Sequence, residues 1–229
     1  MRLRDRSAAG RLLAQKLTPY KEQRPVIMAV PCGGVPVGAE VASALRAPLD
    51  VAVVQKAGQT RRAEHGVVMV AEEANASKDE APAAAPEDEQ ASALELERRV
   101  RHFRAGRKPL DVRGRTVILV DDGASTGLTC RAAIESLRKR APARVVLAVP
   151  VMPAPVAEAM VEVADEVVCL VGPESLWSIG SWYGDFSRLN DDEASTRLAQ
   201  AWGAVEQGKR AAKAAPSPAP RFELRWAFW

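Results

Sequence analysis

The chain has few of the residues that build metal centres or disulfide frameworks. Its 229 residues include only two histidines and three cysteines, and Cys32, Cys130 and Cys169 stand singly along the chain. A structural zinc site or a disulfide framework needs such residues at paired spacings. The sequence therefore argues against both, and against a histidine-rich metal centre as well.

Long apolar runs and a strong net charge are also missing. No apolar run reaches the roughly 20 residues of a membrane helix, and the opening Met-Arg-Leu-Arg-Asp-Arg lacks the apolar stretch of a signal peptide. The net charge of +3 gives little support for a nucleic-acid role. We expect a cytoplasmic protein, with no membrane or specific nucleic acid among its partners, built around one well-buried α/β domain.

The most informative stretch is Val117-Ile-Leu-Val-Asp-Asp-Gly-Ala-Ser-Thr-Gly-Leu-Thr129. Its four apolar residues predict a strand buried on both faces, and two acids follow at the carboxyl end, where parallel sheets bind ligands. A loop of small residues comes next, and a helical pattern begins at Leu128. Backbone amides of such a loop suit a phosphate, whereas Asp121 and Asp122 suit ribose hydroxyls or hydrated Mg²⁺. A sugar phosphate would satisfy both halves.

Two other interpretations of this stretch have to be weighed. A buried strand followed by an ordinary acidic turn and a capped helix gives the same general pattern, although the order Ser-Thr-Gly-x-Thr makes it less attractive. A P-loop does not fit, because no Gly-Lys-Ser/Thr closes the loop.

A second glycine-rich loop, Pro31-Cys-Gly-Gly-Val-Pro-Val-Gly38, lies between a predicted strand and a predicted helix. Gly33 and Gly34 would let backbone amides approach an anion closely. A glycine-rich turn without a ligand explains these residues about equally well. A dinucleotide-binding fingerprint does not, because the spacing Gly-x-Gly-x-x-Gly is absent.

Strand and helix patterns alternate along the chain and predict an α/β fold with a doubly wound, mainly parallel sheet and helices on both faces. The predicted strands cover residues 26–30, 49–54, 67–71, 117–120, 144–150 and 166–170. The predicted helices cover residues 7–17, 39–45, 94–103, 155–163 and 191–202, with one more starting at 128.

Charged and polar segments outside this framework have mostly ordinary explanations. Lys56, at the end of a predicted strand, can reach a pyrophosphate, but a lone lysine is more often a solvated surface charge. The arginines Arg98, Arg99 and Arg101 fit a solvated helix face better than a binding patch. Residues 58–66 are typical of an exposed mobile loop.

The central stretch resembles the 5-phosphoribosyl-1-pyrophosphate (PRPP) motif of type I phosphoribosyltransferases, which it matches at all thirteen positions. The loop over 31–38 resembles the pyrophosphate loop of a bacterial group of predicted phosphoribosyltransferases, usually Pro-Arg-Gly-Gly-Val-Pro-Val. The runs Arg113-Gly-Arg-Thr-Val-Ile-Leu-Val-Asp-Asp-Gly123 and Trp182-Tyr-Gly-Asp-Phe186, followed by Asp191-Asp-Glu193, are similar to that group too. The resemblance covers roughly residues 4–202 and implies the type I phosphoribosyltransferase fold.

The resemblance implies transfer of the 5-phosphoribosyl group from PRPP to a nitrogen nucleophile, such as a nucleobase, with Mg²⁺ as cofactor and pyrophosphate as product. Asp121 and Asp122 would contact the ribose, with Lys56 as a further catalytic candidate. The 5′-phosphate would be held by Gly123, Ala124, Ser125, Thr126, Gly127, Leu128 and Thr129. Cys32, Gly33 and Gly34 would form the pyrophosphate loop, and Trp177, Trp182 and Asp185 would meet the base.

The implied organisation is one domain over 1–202, with a hood over about 172–189, a mobile insert over about 72–92 and a flexible tail over 203–229. The hood aromatics could equally pack the edge of the domain. A homodimer is one assembly that the resemblance allows, and the insert together with the 58–66 loop is the candidate lid.

Two departures from the family pattern bear on catalysis. Cys32 stands where arginine is usual, and residues 59–73 differ from the usual Pro-Glu-Leu-Ala-Ile-Gly-Ala run. Arg61 or Arg62 can replace the missing charge. The sequence therefore leaves a second function open, a non-catalytic PRPP- or nucleotide-binding regulatory protein with a degenerate pyrophosphate loop.

Overall fold

The computed structural model describes residues 2–57, 68–71 and 86–214, with side chains at 2–55 and 90–204. Its strands are β1 (Val26–Ala29), β2 (Leu49–Val51), β3 (Val54–Ala57), β4 (Val68–Ala71), β5 (Thr116–Val120), β6 (Arg144–Val151) and β7 (Glu166–Val171). Its α-helices are α1 (Arg6–Lys16), α2 (Gly34–Leu45), α3 (Pro86–Arg104), α4 (Leu128–Lys139), α5 (Ala154–Met160) and α6 (Asp191–Ala214). Short 3-10 helices cover Thr18–Gln23 and Ile179–Trp182.

Five strands form one parallel sheet in the order β2-β1-β5-β6-β7. The chain thus begins inside the sheet, steps to one edge and then crosses to the other, so that helices cover both faces. β3 and β4 form a separate antiparallel pair. The predicted doubly wound, mainly parallel sheet is confirmed.

The central strand β5 shows why the sequence signals a strand buried on both faces. Ile118 and Val120 pack in the layer that contains α1, α2 and α6, whereas Val117 and Leu119 pack on the other side with α4 and α5. All four are fully buried. Alternate side chains of a strand point to opposite faces, so a strand covered on both sides is apolar at every position.

The predicted strand over 49–54 is in fact two strands. β2 ends at Val51, and β3 begins at Val54 because it pairs with β4, in a register that sets Val54 opposite Ala71. Lys56 lies within β3, opposite Met69, and its side chain is outside the described residues. The partner strand, and not the local pattern, sets this boundary.

Three helices are longer than their patterns indicate. α2 begins at Gly34 instead of 39, and α3 begins at Pro86, so residues 86–92 of the predicted mobile insert are helical while 72–85 lie outside the described residues. The run Pro-Glu-Asp-Glu at 86–89 is a favourable helix start. α6 extends to Ala214, so residues 203–214 of the expected flexible tail are helical, and 215–229 lie outside the described residues.

Within the described ranges, none of the helices has the length and apolar character needed to cross a membrane.

Candidate functional site

The two loops singled out by the sequence meet at one edge of the sheet. β1 and β5 are parallel neighbours, and the backbone N–H of Val30 donates to the carbonyl of Val120 at 2.8 Å, just where both strands end. The loop that leads from β1 into α2 therefore lies beside Asp121 and Asp122, which follow β5. The carboxyl ends of parallel strands are where open α/β sheets bind ligands.

Contact between the loops is so close that it requires glycine. A Cβ atom at Gly33 would lie 2.0 Å from the Asp122 Oδ2 atom, and one at Gly34 would lie 2.6 Å from the carbonyl oxygen of Val120. Real Cβ contacts are not that short, so any larger residue would displace the loop or the acids. The pyrophosphate-loop glycines and the second acid thus form one packed unit.

Arg6 is the partner of the second acid, and no local sequence pattern pointed to it. α1 starts at Arg6 because the carboxylate of Asp5 accepts the backbone N–H of Ala8 at 2.6 Å. The Nε atom of Arg6 lies 2.7 Å from Asp122 Oδ2, and both side chains are 12% exposed. Its guanidinium also donates to the carbonyl of Ser187 at 2.8 Å and lies over the Phe186 ring. Arg6 therefore joins the ribose-binding candidate to the predicted hood.

Hydrogen bonds connect the predicted hood to Asp122 and to the N-terminal segment of the chain. The buried Tyr183 hydroxyl donates to the backbone carbonyl of Asp122 at 2.6 Å. Leu3 N–H donates to the carbonyl of Trp182 at 2.8 Å, and Gly184 N–H donates to the carbonyl of Leu3 at 2.7 Å. The extended N-terminal segment thus forms part of the hood, which the sequence pattern did not indicate.

Burial dominates the electrostatics of the two acids. Burial of its carboxyl raises the pKa of Asp121 well above the ordinary range, and the neighbouring charge of Asp122 raises that pKa further. Burial also raises the pKa of Asp122, although the Arg6 guanidinium works in the opposite direction. Both carboxyls consequently take up a proton at a higher pH than an ordinary aspartate, and a cation bound beside them would favour their ionised forms.

The phosphate-loop candidates wrap the start of α4. Gly127 precedes this helix with φ +77°, a conformation that favours glycine, and it has no side chain to cap the first-turn amides. Ala124 N–H donates to the carbonyl of Val151 at 2.9 Å, which anchors the loop to the end of β6. Ser125 and Thr126 are exposed. The loop is therefore anchored at Ala124 and exposed at Ser125 and Thr126, and its binding of a phosphate stays a prediction.

Cys32 lies in a polar cluster with residues from two distant helices. Its thiol donates to the Oδ1 atom of Asp191 at 3.1 Å, and the Nη2 atom of Arg99 lies 3.1 Å from that same oxygen and 3.9 Å from the Cys32 sulfur. Burial and the hydrogen bond to Asp191 raise the pKa of Cys32 to about 11, so the thiol is neutral at physiological pH. The prediction of a solvated face is wrong for Arg99, whose side chain is 14% exposed.

The other two arginines of that helix fit the prediction. The side chains of Arg98 and Arg101 are 54% and 73% exposed, and they pair with Glu95 and Glu97 on α3 itself. Arg61 and Arg62, considered as substitutes for the missing loop charge, lie outside the described residues.

The three base-contact candidates are placed differently from one another. Trp177 is fully exposed, and Trp182 packs beside the small apolar cluster that contains Leu3 and Tyr183. Asp185 lines an open cavity of about 250 Å³ together with residues from the start of α1, from α2 and from α6. That cavity also reaches Arg6, the partner of Asp122, whereas neither tryptophan lines it. Of the three, Asp185 is the one that shares this cavity with Arg6.

Comparison with known proteins places this geometry in a family. Residues 5–180 match the model of the phosphoribosyl transferase domain. Over 205 residues, or 86% of this chain, the sequence is 39% identical to the Mycobacterium tuberculosis H37Rv protein named "Putative phosphoribosyl transferase Rv0571c", of which it covers 46%. The chain thus spans about half the length of this relative.

A solved structure gives the same result for the fold. The crystal structure of TT1426 from Thermus thermophilus superposes with a TM-score of 0.74 at 33% identity, covering 87% of this chain and 99% of that one. The family model and this fold agree with the parallel α/β sheet of this chain. The chain belongs to the phosphoribosyltransferase family.

Proposed function

We propose that this protein transfers the 5-phosphoribosyl group of PRPP to a nitrogen of a nucleobase-like acceptor and releases pyrophosphate. One observation carries the proposal: Asp121 and Asp122 lie between an amide-rich loop that opens α4 and the Gly33–Gly34 loop that opens α2. PRPP has a phosphate at one end of a ribose and a pyrophosphate at the other. The order of the groups in the ligand matches the order of the elements in the site.

Each part of PRPP has an assigned position in this proposal. The amides and hydroxyls of residues 123–129 bind the 5′-phosphate, because a helix start and a small-residue loop present several N–H groups to one anion. The carboxylates of Asp121 and Asp122 accept hydrogen bonds from the ribose hydroxyls. The backbone amides near Gly33 and Gly34 bind the pyrophosphate.

Magnesium fits this donor set as a companion of the substrate. Among the described residues, no group of three or more His, Cys, Asp or Glu side chains is placed to hold a metal. Mg²⁺ commonly binds through one or two carboxylates together with substrate phosphates, and Asp121 and Asp122 offer hard oxygen ligands of that kind. When bound, the ion neutralises charge on the departing pyrophosphate.

The chemistry is a displacement at C1 of the ribose. The acceptor nitrogen forms a bond to C1 while the C1–oxygen bond to pyrophosphate breaks, and the acceptor N–H gives up its proton. Positive charge develops on the ribose ring, where the two carboxylates offset it, and orientation of the two reactants lowers the barrier further. Asp185, which lines the cavity beside Arg6, is our candidate for receiving a ring or exocyclic N–H.

A second function, PRPP binding without turnover, is favoured by the state of Cys32. The loop segment Pro31-Cys-Gly-Gly-Val-Pro-Val-Gly38 contains no basic residue, and its thiol is neutral at physiological pH. A site with a complete phosphate end and a weak pyrophosphate end would bind PRPP yet stabilise the leaving group poorly.

Turnover distinguishes the two functions. The full chain is incubated with PRPP, Mg²⁺ and a panel of purine and pyrimidine bases, and pyrophosphate release is followed for each base. We expect release with at least one base, abolished in Asp122→Asn and kept in Asp111→Asn, an exposed aspartate before β5. PRPP binding with no release for any base would select the non-catalytic function, and no binding at all would contradict both.

A further inference from the structure

We propose that Arg99 of α3 is the cation that contacts the pyrophosphate of PRPP, in place of a charge that the β1–α2 loop does not carry itself. The inference rests on the proposed function, because it assigns a ligand group to the Gly33–Gly34 loop. It adds to that function a binding residue from a helix that the sequence pattern assigned to the solvated surface.

Contacts to three parts of the chain hold the Arg99 guanidinium at the loop. Its Nη1 atom donates to the carbonyl of Val54 at 3.2 Å and lies 3.4 Å from the Gln55 side-chain oxygen. Its Nη2 atom lies 3.1 Å from Asp191 Oδ1 and 3.9 Å from the Cys32 sulfur. A side chain held from several directions delivers its charge without ordering a long, flexible stem on binding.

The Asp191 carboxylate holds Arg99 and does not supply the capping hydrogen bonds of its own helix. The start of α6 is capped by Asn190 and Glu193, whose side chains each accept the other's backbone N–H, at 2.8 and 3.0 Å. The Asp191 carboxylate instead accepts from Cys32 and from Arg99. A carboxylate in this position keeps the guanidinium beside the loop until an anion arrives.

Pyrophosphate is a suitable competitor for that carboxylate. Guanidinium groups bind phosphate oxygens through two parallel hydrogen bonds and stay charged at every physiological pH. A pyrophosphate carries more negative charge than a single carboxylate, so the same guanidinium gains by turning from Asp191 to the ligand. The displaced Asp191 keeps a second partner, since the Arg98 Nη2 atom lies 3.4 Å from its Oδ2.

Arg6, another arginine near this loop, has a different task. Arg6 is bound to the far side of the loop through Asp122 and to the hood through Ser187 and Phe186. Arg6 therefore stays with the ribose end, and Arg99 serves the pyrophosphate end.

The experiment measures each end of the proposed site with its own fragment of the substrate. Pyrophosphate with Mg²⁺ and ribose 5-phosphate are titrated separately into the full chain by calorimetry, for wild type, Arg99→Ala and the matched control Arg101→Ala. We expect Arg99→Ala to lose tenfold or more in pyrophosphate affinity and to bind ribose 5-phosphate within twofold of wild type. Arg101→Ala, which removes an exposed side chain that pairs with Glu97 on the same helix, should change neither affinity by more than twofold.

Two further variants test whether a loss of affinity in Arg99→Ala comes from the missing charge or from a damaged fold. Cys32→Arg added to Arg99→Ala should restore at least part of the pyrophosphate affinity, because it returns a positive charge to the loop. Asp191→Asn alone should tighten pyrophosphate binding, because it removes the competing carboxylate.

The outcomes separate this inference from the proposed function. Wild-type pyrophosphate affinity in Arg99→Ala, or an equal loss for both fragments without rescue by Cys32→Arg, would overturn the role of Arg99 while the site itself stands. If wild type binds neither fragment, the proposed function fails together with this inference.

Discussion

The two ends of the site are built in different ways. The proposed phosphate end is one continuous segment, the loop over 121–127 together with the start of α4. The proposed pyrophosphate end brings together Cys32, Gln55, Arg99 and Asp191 from four separate parts of the chain. A function carried by one short segment leaves a readable motif, whereas a function assembled from distant segments leaves almost none.

Gly34→Ala is expected to have the largest effect, because it disturbs both ends of the proposed site at once. Gly34→Ala places a Cβ atom 2.6 Å from the Val120 carbonyl oxygen and 3.0 Å from the Asp121 Cα atom, so backbone must move. We expect a loss of about 1–3 kcal/mol in the free energy of unfolding, as for other overpacked sites, and loss of measurable PRPP binding. Denaturant unfolding and calorimetry check both.

Gly203→Ala is the matched control for that change. Gly203 lies inside α6 with open space where its Cβ atom would stand. The same substitution should stabilise the protein there by roughly 0.5–1 kcal/mol, since alanine is the better helix former. Equal effects at the two positions would show that the close approach of the loops is unimportant.

The second prediction addresses the phosphate and ribose end alone. Asp122→Asn removes the charge that pairs with Arg6 at 2.7 Å and that we assign to the ribose hydroxyls. Hydrogen bonds to charged groups are worth about 1.5–3 kcal/mol, so ribose 5-phosphate affinity should fall by about 10- to 100-fold, while the affinity for pyrophosphate without Mg²⁺ changes little.

Arg99→Ala should show the opposite pattern, with lower affinity for pyrophosphate and nearly unchanged affinity for ribose 5-phosphate. A circular dichroism spectrum of Asp122→Asn should match that of wild type, with a lower melting temperature because Arg6 loses its charged partner. An unchanged affinity for ribose 5-phosphate would remove Asp122 from the ribose site.

A smaller effect is expected when the hood is loosened from the second acid. Tyr183→Phe deletes the hydrogen bond from a buried hydroxyl to the Asp122 carbonyl at 2.6 Å. We expect a loss of about 0.5–1.5 kcal/mol in the free energy of unfolding, with a modest drop in ribose 5-phosphate affinity, measured by thermal melting and calorimetry. Stability equal to wild type would mean that this bond does not hold the hood.

The smallest expected effect is a difference in pH dependence between the ends. Burial raises the pKa of Asp121 and of Asp122, so they become protonated at a pH above the ordinary aspartate value of about 3.9. Protonated carboxyls accept ribose hydroxyls poorly, so ribose 5-phosphate affinity should fall as the pH is lowered toward that raised range. Pyrophosphate affinity does not depend on these two carboxyls in the proposed site, so without Mg²⁺ it should show no fall beyond the one that protonation of pyrophosphate itself causes; identical profiles would contradict the assignment.

The fold was predictable because local sequence patterns indicate most of its strands. β5 is apolar at each of the positions 117–120, and the alternation of such runs with helical patterns allows few topologies. The split between β2 and β3 was not predictable, since the pairing of Val54 with Ala71 decides it. The length of α6 was underestimated because the composition of 203–214, rich in alanine and charge, is as typical of tails as of helices.

The candidate site shows the same contrast between local sequence patterns and contacts over long sequence distances. Asp121 to Thr129 could be identified as a unit because the residues are contiguous. Arg6 and Asp122 are 116 positions apart, and Cys32 and Asp191 are 159 positions apart, so no local pattern connects either pair. Trp177 shows the converse: an aromatic residue in the expected hood suggests a base contact, yet its side chain is fully exposed.

The central claim is that the two ends form a single PRPP site, and calorimetric titration tests it most directly. PRPP with Mg²⁺, ribose 5-phosphate and pyrophosphate with Mg²⁺ are each titrated into the full chain. We predict one PRPP site per chain, at least tenfold tighter than the better of the two fragments, because both ends are bound at once. PRPP that binds no more tightly than a fragment, or not at all, would contradict the claim.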